Sequence, residues 1–331
     1  MSENPGSMYY KSIPWWLVKR IFRDILLIIW SVGLWGCSVV PTGDFNNVGP
    51  GAGQGRKLVV WMLSDIHYKN KGYSGVFESA IQDLNENIGP VDMGIMAGDL
   101  IQSRSPVSVF ESFLQARNGS KVSEWYEIAG NHDVRSGTLF YEYFKKPAYY
   151  AVETGNLLFL FLSDQSVSSR TDISDEAFFW WRNMVEGNRD RIIITVSHAQ
   201  LANSGLLGSS VSSRVIHRSS RFENVLKKEN VALWISGHCH LPQTLTGTMS
   251  VRNNLGGTCF VNVSSISNEL LLDSESRIFY FQDGSDIVWI RSRNHTRKKF
   301  NTALDVPLRL NHPFNWGEKK SSSSKVLEEA I

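Results

Sequence analysis

Cysteine is scarce in this sequence: the 331 residues contain only Cys37, Cys239 and Cys259. Three cysteines at such irregular spacing provide neither a disulfide framework nor a thiolate zinc site. Any metal chemistry must therefore depend on histidine, carboxylate and amide side chains.

The chain also lacks an excess of charge of either sign. Its 34 Lys and Arg residues nearly balance 32 Asp and Glu residues, which leaves a formal net charge of +2. Because the two signs are mixed along the sequence, no feature demands a polyanionic partner. We therefore expect no nucleic-acid partner.

The apolar run near the N-terminus, ILLIIWSVGLW, is shorter than the roughly 20 residues that span a bilayer. It follows Lys11, Lys19, Arg20 and Arg23, and a basic flank before a short apolar core is typical of a signal sequence. The ending LWGC resembles a bacterial lipoprotein signal, in which cleavage leaves Cys37 to carry a lipid. An uncleaved membrane anchor and a buried helix are the alternatives. We expect an exported protein that is tethered to the membrane through its N-terminus.

Composition divides the chain into four parts. Residues 1–36 are the predicted signal sequence or anchor, and residues 37–57, rich in Gly, Pro and Asn, are a predicted flexible linker. Residues 58–300 are predicted to form a single domain. Residues 301–331, which end in KKSSSSKVLEEAI, are predicted to be a solvated C-terminal tail.

Short apolar runs alternate with amphipathic helical patterns within the predicted domain. Five runs, LVVWML, MGIMA, WYEIA, IIITVS and VALWIS, have the length and continuity of strands buried on both faces. Helical patterns follow Gly72, Pro106 and Ser174. Hairpin signals occur at residues 154–156 and 283–284. The pattern predicts an α/β fold with added antiparallel strands.

The residues that follow these five strands carry the functional signal. The strands lead into SDIH, GDL, GNHD, SHA and GHCH, which contain five of the eight histidines. Each motif alone is weak, because Asp commonly caps helices and a single His is commonly structural. Since the carboxyl ends of strands converge on one crevice in an open α/β sheet, the ordered set predicts a shared site. The candidates are Asp65, His67, Asp99, Asn131, His132, Asp133, His198, His238 and His240.

This ordered set of motifs resembles the calcineurin-like metallophosphoesterase family, from about Leu58 to Ile266. The resemblance implies a four-layer α/β/β/α sandwich with a two-metal site at the strand ends. By matching position, one metal is assigned to Asp65, His67, Asp99 and His240. The other metal is assigned to Asp99, Asn131, His198 and His238. The chain departs from many relatives where His198-Ala199-Gln200 replaces His-His-Pro.

The donor types agree with that assignment. Imidazole and oxygen ligands without thiolate suit manganese, iron or zinc, and do not choose among them. Only two carboxylates face two divalent ions, and Asn131 ligates without adding negative charge. The surplus positive charge favours a bridging hydroxide as nucleophile and a phosphate as substrate. We therefore expect two divalent transition-metal ions as cofactors.

His132 follows a predicted ligand but points elsewhere along an extended segment. We interpret it as the general acid that protonates the leaving alkoxide. Asp133 is interpreted as the partner that orients the His132 imidazole and favours its charged form. The alternative is that His132 only caps a turn.

The expected function is metal-dependent hydrolysis of a small or lipid-linked phosphate ester, without a phosphoenzyme. The motif order also resembles class III cyclic nucleotide phosphodiesterases, so cyclic nucleotide hydrolysis is an alternative. The loops predicted to line the site, residues 68–73 and 201–217, offer Lys69, Lys71 and Arg214 but no arginine pair for a dianion. A second alternative is a non-catalytic metal-binding or scaffold protein, because a fold does not determine activity.

Two features outside this motif set have simpler interpretations. The basic stretch RSRNHTRKK, residues 291–299, is interpreted as a charged strand edge that discourages pairing, with anion binding as the alternative. Cys239, between two predicted ligands, is interpreted as a packed thiol. A disulfide with Cys259 is the alternative in an exported protein.

Overall fold

The computed structural model describes residues 56–69, 75–166, 171–267, 272–317 and 325–327. The predicted signal sequence, Cys37 and most of the linker lie outside these ranges. Within them, no helix combines the length and apolar character needed to cross a membrane.

The described ranges contain strands and helices in alternation over most of their length. The strands are β1 (Lys57–Leu63), β2 (Val91–Ala97), β3 (Val122–Ile128), β4 (Tyr149–Thr154), β5 (Leu157–Leu162), β6 (Ile192–Ser197), β7 (Leu233–Ser236), β8 (Met249–Arg252), β9 (Thr258–Asn262), β10 (Glu275–Gln282), β11 (Ile287–Asn294), β12 (Lys299–Phe300), β13 (Val306–Arg309) and β14 (Lys325–Leu327). The helices are α1 (Val76–Asn87), α2 (Val107–Asn118), α3 (Asn131–Val134), α4 (Leu139–Phe144), α5 (Asp175–Gly187) and α6 (Ser220–Leu226).

The strands form two mixed sheets. The first has the order β12-β11-β10-β1-β2-β3, with β13 also paired to β11, and the second has the order β14-β4-β5-β6-β7-β9-β8. Strands β1, β2 and β3 run parallel in the first sheet, and β5, β6, β7 and β9 run parallel in the second. The five strands that lead into the motifs are therefore divided between two sheets.

The two sheets pack face to face, and helices cover both outer faces. In β1, alternate residues such as Val60 face the core between the sheets, where Ile194 of β6 also packs. The intervening Trp61 packs with Phe113 of α2 on the outer face of the first sheet. Trp181 of α5 belongs to a third cluster, outside the second sheet. This arrangement is the predicted four-layer α/β/β/α sandwich.

The helices begin close to the residues that the sequence indicates. The Ser174 hydroxyl accepts a hydrogen bond from the Ala177 amide at 3.1 Å, so Ser174 caps α5 as predicted. The sequence predicts Ser105 at the N-cap of α2 with Pro106 in the first turn, but in the structure Pro106 itself occupies the N-cap. These starting points direct the apolar face of each helix onto its sheet.

The domain continues beyond the predicted boundary at residue 300, so that boundary is corrected. Strand β13 pairs with β11, and Leu308, Leu310 and Phe314 are buried in the core between the sheets. These apolar side chains cover part of the core that would otherwise meet water. Only the segment from residue 318 onward retains the composition of a tail, and β14 within it pairs with β4.

The basic stretch interpreted as a strand edge instead supplies a buried network, which corrects that interpretation. Arg293 and His295 both bind the carboxylate of Asp83 in α1, with Arg293 Nε and His295 Nδ1 at 2.9 and 2.8 Å from Asp83 Oδ2. His295 Nε2 lies 2.7 Å from Ser276 Oγ, which accepts a hydrogen bond from Trp61 Nε1 at 2.7 Å. The network ties α1 to three strands of the first sheet.

We expect Asp83→Asn to lower the free energy of unfolding by about 3 to 5 kcal/mol, because it leaves the Arg293 guanidinium buried without its counter-ion. Burial alone would raise the pKa of Asp83, but hydrogen bonds from His295 and Arg293 hold that pKa well below its usual range. A depressed folded-state pKa gives stability that is present above about pH 4 and is lost as the pH falls below it.

Urea unfolding at pH 7 and pH 3 measures both effects. The difference in the free energy of unfolding between the wild-type chain and Asp83→Asn should be smaller at pH 3 than at pH 7. The exposed Asp190→Asn serves as a control and should change stability by less than about 0.5 kcal/mol. A loss below about 1 kcal/mol in Asp83→Asn at pH 7 would show that the network contributes little.

Candidate metal centre

The carboxyl ends of strands from both sheets meet at one edge of the sandwich. Asp99, which follows β2 of the first sheet, has its Oδ2 3.1 Å from Nε2 of His198, which follows β6 of the second sheet. Asp65, which follows β1, accepts a hydrogen bond from the His238 amide at 2.8 Å. The strand-end motifs therefore share one site although they lie on two sheets.

One cluster of possible ligands contains Asp65, His67 and His240. One ligand atom from each residue lies within 4.8 Å of the other two. The Nε2 atoms of His67 and His240 are 3.1 Å apart, and His240 Nε2 is 3.1 Å from Asp65 Oδ1. Two imidazole nitrogens at this distance both point into the same space, which is the arrangement expected around a cation.

A second cluster contains Asp99, His198 and His238, again with ligand atoms within 4.8 Å of one another. His238 Nδ1 lies 3.2 Å from His198 Nε2. Asp99 Oδ2 is also 3.8 Å from His67 Nε2 of the first cluster. Asp99 thus lies between the two clusters, which is the position a bridging ligand requires.

Asn131 begins α3 directly beside Asp99. The next residue, His132, donates its backbone N–H to Asp99 Oδ1 at 2.8 Å. The side-chain oxygen Oδ1 of Asn131 is buried and has no hydrogen-bond partner in the described part of the chain. An acceptor that is removed from water in this way is costly unless something binds it.

Three of the histidines contact an oxygen atom through one ring nitrogen, and this contact leaves the other ring nitrogen to face the site. Such contacts fix the orientation of a metal-binding imidazole. The contacts are His67 Nδ1 to Gln102 Oε1 (3.1 Å), His198 Nδ1 to the Ala97 carbonyl (2.9 Å) and His238 Nε2 to the Ser213 carbonyl (3.3 Å). Sequence reasoning missed Gln102 and both carbonyls, since no sequence pattern marks them.

The backbone is held in an unusual conformation at most of the possible ligands. Five non-glycine residues of the site have positive φ: Asp65 (53°), His67 (47°), Asp99 (54°), His238 (65°) and His240 (48°). Positive φ is unfavourable for residues with a Cβ, and a residue keeps this conformation only where surrounding contacts impose it. Its concentration here indicates that the fold stabilises ligand positions at the expense of local backbone energy.

Three of the motifs begin with a glycine because atoms of another segment lie too close to that position for a Cβ atom. A Cβ at Gly237 would lie 1.8 Å from Ser64 Oγ, and a Cβ at Gly130 would lie 2.3 Å from Asp99 Oδ1. Gly98 combines a φ of +87° with a Cβ position 2.6 Å from His198 Nδ1. The glycines of GD, GNHD and GHCH are a site signal that the sequence analysis did not use.

The carboxylate of Asp133 binds backbone amides, so its interpretation as the partner of His132 is corrected. Asp133 accepts hydrogen bonds from the amides of Gly130 at 2.8 Å, Leu100 at 3.1 Å and Ile101 at 2.9 Å. Burial, together with the nearby Asp99 carboxylate, raises the pKa of Asp133 to about 7. Asp133 therefore joins the GDL and GNHD loops, and its carboxylate does not position the imidazole.

His132 also borders the site, because one of its ring nitrogens lies within 4.8 Å of ligand atoms of both His67 and Asp99, and these three form a third group of possible metal ligands. Its ring packs edge-on against His67, with ring centroids 4.6 Å apart. Its Nδ1 atom is buried and makes no hydrogen bond to any described residue. Burial lowers the pKa of His132 from its usual value. The ring thus has an unused nitrogen beside the ligand clusters.

The electrostatics of the site favour an added cation. Burial opposes a charge on His198, but contact with Asp99 raises its pKa to about 10. Burial also opposes ionisation of Asp65, yet its contact with His240 lowers that pKa to about 2. Asp99 therefore holds a proton on the His198 imidazole, and a metal cation can take the place of that proton.

The residues present therefore fit a pair of metal ions. The unsatisfied Asn131 oxygen, the converging nitrogens of His67 and His240, and the shared position of Asp99 all match that requirement. The donors are imidazoles and oxygens, which suit manganese, iron or zinc.

Both described cysteines are free thiols, so the alternative of a Cys239–Cys259 disulfide is wrong. Burial raises the pKa of each thiol to about 12, which keeps both protonated and unreactive. Cys239 lies between His238 and His240 but belongs to neither cluster of possible ligands.

Comparison with known proteins points to one family. The family model described as calcineurin-like phosphoesterase matches residues 58–242. No curated protein sequence matches the chain.

Among solved structures, a dimetal phosphatase from Danio rerio has a TM-score of 0.58 at 12% identity, over 76% of this chain and 98% of that one. A purple acid phosphatase from yellow lupin (Lupinus luteus) seeds has a TM-score of 0.56 at 14% identity, over 75% of this chain and 53% of that one. GAP50, the anchor in the inner membrane complex of Plasmodium, has a TM-score of 0.52 at 14% identity, over 77% and 90% of the two chains. This chain thus spans about half of the lupin protein, and at these identities the likeness concerns the fold.

Proposed function

Since the match covers more than half of its length, the chain belongs to the calcineurin-like phosphoesterase family, and we propose that it hydrolyses phosphate esters at a two-metal centre. Phosphoric ester hydrolysis is the activity of the family. The observation that carries the two-metal proposal is the position of Asp99 between two clusters of possible ligands.

The proposed ligands divide around Asp99. Asp65, His67 and His240 would hold one ion with Asp99, and Asn131, His198 and His238 would hold the other with it. Bound there, two divalent ions would acidify the attacking water and neutralise charge on the phosphate. The chain contributes rigid ligand positions, which the oxygens behind the histidines and the close glycine contacts maintain.

His132 is proposed as the general acid. Its backbone amide is fixed on Asp99 and its ring lies beside His67, so it borders the space where a phosphate would meet both clusters. Because burial lowers its pKa, the negative charge of a bound phosphate would help to keep the ring protonated. The ring can then give its proton to the leaving alkoxide.

A small or lipid-linked phosphate ester is the proposed substrate, in preference to a cyclic nucleotide. In the described loop 201–217, Arg214 is the single arginine, and it is half-buried behind the GHCH turn, whose Cys239 Sγ lies 4.0 Å from the Arg214 carbonyl. The loop therefore offers no arginine pair for bidentate capture of a dianion. The preference over a cyclic nucleotide rests on the proposed export, which would separate the protein from cytoplasmic cyclic nucleotides. The rival of a non-catalytic scaffold is disfavoured because the donor set is complete.

Substrate preference is measured as kcat/KM, with manganese present, for a phenyl monoester, a bis-phenyl diester and 3′,5′-cyclic AMP. We expect the highest value for one of the phenyl esters. A preference of about tenfold or more for cyclic AMP would assign the chain to cyclic nucleotide hydrolysis instead.

We also propose that the protein is exported and held at the membrane through Cys37. The support is the basic flank, the short apolar run and the LWGC ending in the sequence. Cys37→Ser should release the protein from membranes or block its processing, whereas the adjacent Ser38→Ala should not. Fractionation followed by mass determination measures both, and a Cys37→Ser protein that still requires detergent would favour an uncleaved anchor.

A further inference from the structure

A polar cavity lies away from the metal centre, on the outer face of β3, the edge strand of the first sheet. Its volume is about 420 Å³, within the range of small-molecule sites. It is lined mainly by Arg117, Ser120, Ser123, Trp125, Glu127 and Lys146. Glu127 precedes Asn131 by four residues, so on the order of 13 Å of extended chain separates the cavity from the metal centre.

A buried carboxylate with an unused oxygen forms part of the cavity wall. Glu127 is 0% exposed, and its Oε1 atom pairs with Arg117 Nη1. Its Oε2 atom is buried without a hydrogen-bond partner in the described part of the chain. Leaving a buried carboxylate oxygen without a donor costs about 1 to 3 kcal/mol or more. A ligand hydroxyl that enters the cavity would satisfy it.

Unused donors accompany this acceptor. The Arg117 Nη1 and Nη2 groups bind Glu127 and Asn118, but Arg117 Nε is buried and has no acceptor among the described residues. The same holds for the hydroxyl of Ser120. Unpaired donors and an unpaired acceptor therefore line one cavity, and buried polar groups without a partner are the groups that a polar ligand would satisfy.

The charges of the cavity favour an anion. Arg117 and Lys146 supply two positive charges against the single carboxylate of Glu127. Lys146 lines the cavity, and its Nζ lies 4.9 Å from the centroid of the Tyr126 ring. The indole of Trp125 adds an apolar wall. An amine would be repelled by the surplus positive charge, whereas an anionic group would be attracted.

We propose that this cavity binds a small hydroxylated anion of about the size of a monosaccharide acid or phosphate. A hydroxyl of the ligand donates to Glu127 Oε2, and its carboxylate or phosphate accepts hydrogen bonds from Arg117 and Lys146. The site is separate from the metal centre, so it is occupied independently of hydrolysis.

Isothermal titration of the full chain in detergent tests the proposal. The probes are D-glucuronate and D-glucose 6-phosphate, which distinguish a carboxylate from a phosphate, and neutral D-glucose. The phosphate probe is titrated into the Asp99→Ala chain to prevent its hydrolysis. We expect at least one of the two anions to bind with a Kd between about 10 μM and 1 mM, and D-glucose to bind at least about tenfold more weakly.

Two variants test whether the measured heat of binding comes from this cavity. Glu127→Gln and Lys146→Met should each weaken binding by about tenfold or more, and Lys146 is half-buried at the surface, so its replacement leaves the core intact. Lys121→Met, at an exposed lysine just before β3 that does not line the cavity, is the matched control and should bind like the wild type.

Three results would overturn the proposal. The first is no measurable binding of either anion up to about 10 mM. The second is binding that Lys146→Met leaves unchanged. The third is D-glucuronate binding that disappears in Asp99→Ala, which would place the anion at the metal centre.

Discussion

Asp99→Ala should remove both metal ions and abolish hydrolysis. Asp99 Oδ2 lies 3.1 Å from His198 Nε2 and 3.8 Å from His67 Nε2, so its carboxylate serves both clusters. Its removal deletes one of only two carboxylates that offset the charge of the ions. Burial alone would raise the pKa of Asp99, but the imidazoles of His198 and His67 hold it well below its usual range. The carboxylate is therefore available to a metal throughout the neutral range.

Metal content per chain and the rate of phenyl ester hydrolysis measure this effect. Asp92→Asn is the matched control, because Asp92 lies at the other end of β2 and binds the Val59 amide at 2.8 Å. The control should retain its metals and its activity. If Asp99→Ala lost only one ion and kept the other at full occupancy, Asp99 would not bridge the two positions.

His132→Ala should leave the metals bound and slow hydrolysis by roughly 10² to 10⁴ for esters with an alkoxide leaving group. The reason is that an alkoxide must be protonated as it leaves, and His132 has an unused ring nitrogen and packs its ring against His67. The loss should be much smaller for a nitrophenol, which leaves without protonation. Comparison of kcat for the two kinds of ester separates acid catalysis from phosphate binding.

His312→Ala serves as the control, since His312 lies near the surface, where its Nε2 is 3.4 Å from the Arg189 carbonyl. It should leave both rates unchanged. Equal losses for the two leaving groups in His132→Ala would assign His132 to positioning the phosphate. Loss of metal in that variant would instead make His132 a ligand.

Four of the five strands that bear the site, β1, β2, β6 and β7, were predictable because they are buried over most of both faces and therefore read as continuous apolar runs. In β3 only the second half is buried in this way. The division of these strands between two sheets was not predictable from that pattern, since strands of either sheet look alike. Strand β13 was missed because Pro307 and polar neighbours interrupt its apolar pattern. Its burial depends on Leu308, Leu310 and Phe314 meeting a core built by distant strands.

The candidate ligands were predictable from their position after the strands, and their supporting contacts were not. Asp133 follows His132 in sequence, but the helical turn of α3 directs its carboxylate to amides of another loop. Arg293 and His295 have the composition of a surface edge, and only the fold brings Asp83, 210 residues before Arg293, into contact with them. Contacts of this kind depend on the tertiary structure, and no local sequence pattern indicates them.

Metal analysis of the purified full chain, combined with hydrolysis of a phenyl phosphate ester, tests whether hydrolysis depends on a two-metal centre. We expect about two divalent transition-metal ions per chain. We also expect chelation to remove activity while the chain stays folded, and activity to return in proportion to the metal added back. A folded chain that hydrolyses the ester at its full rate after both ions have been removed would show that the reaction does not use a metal centre.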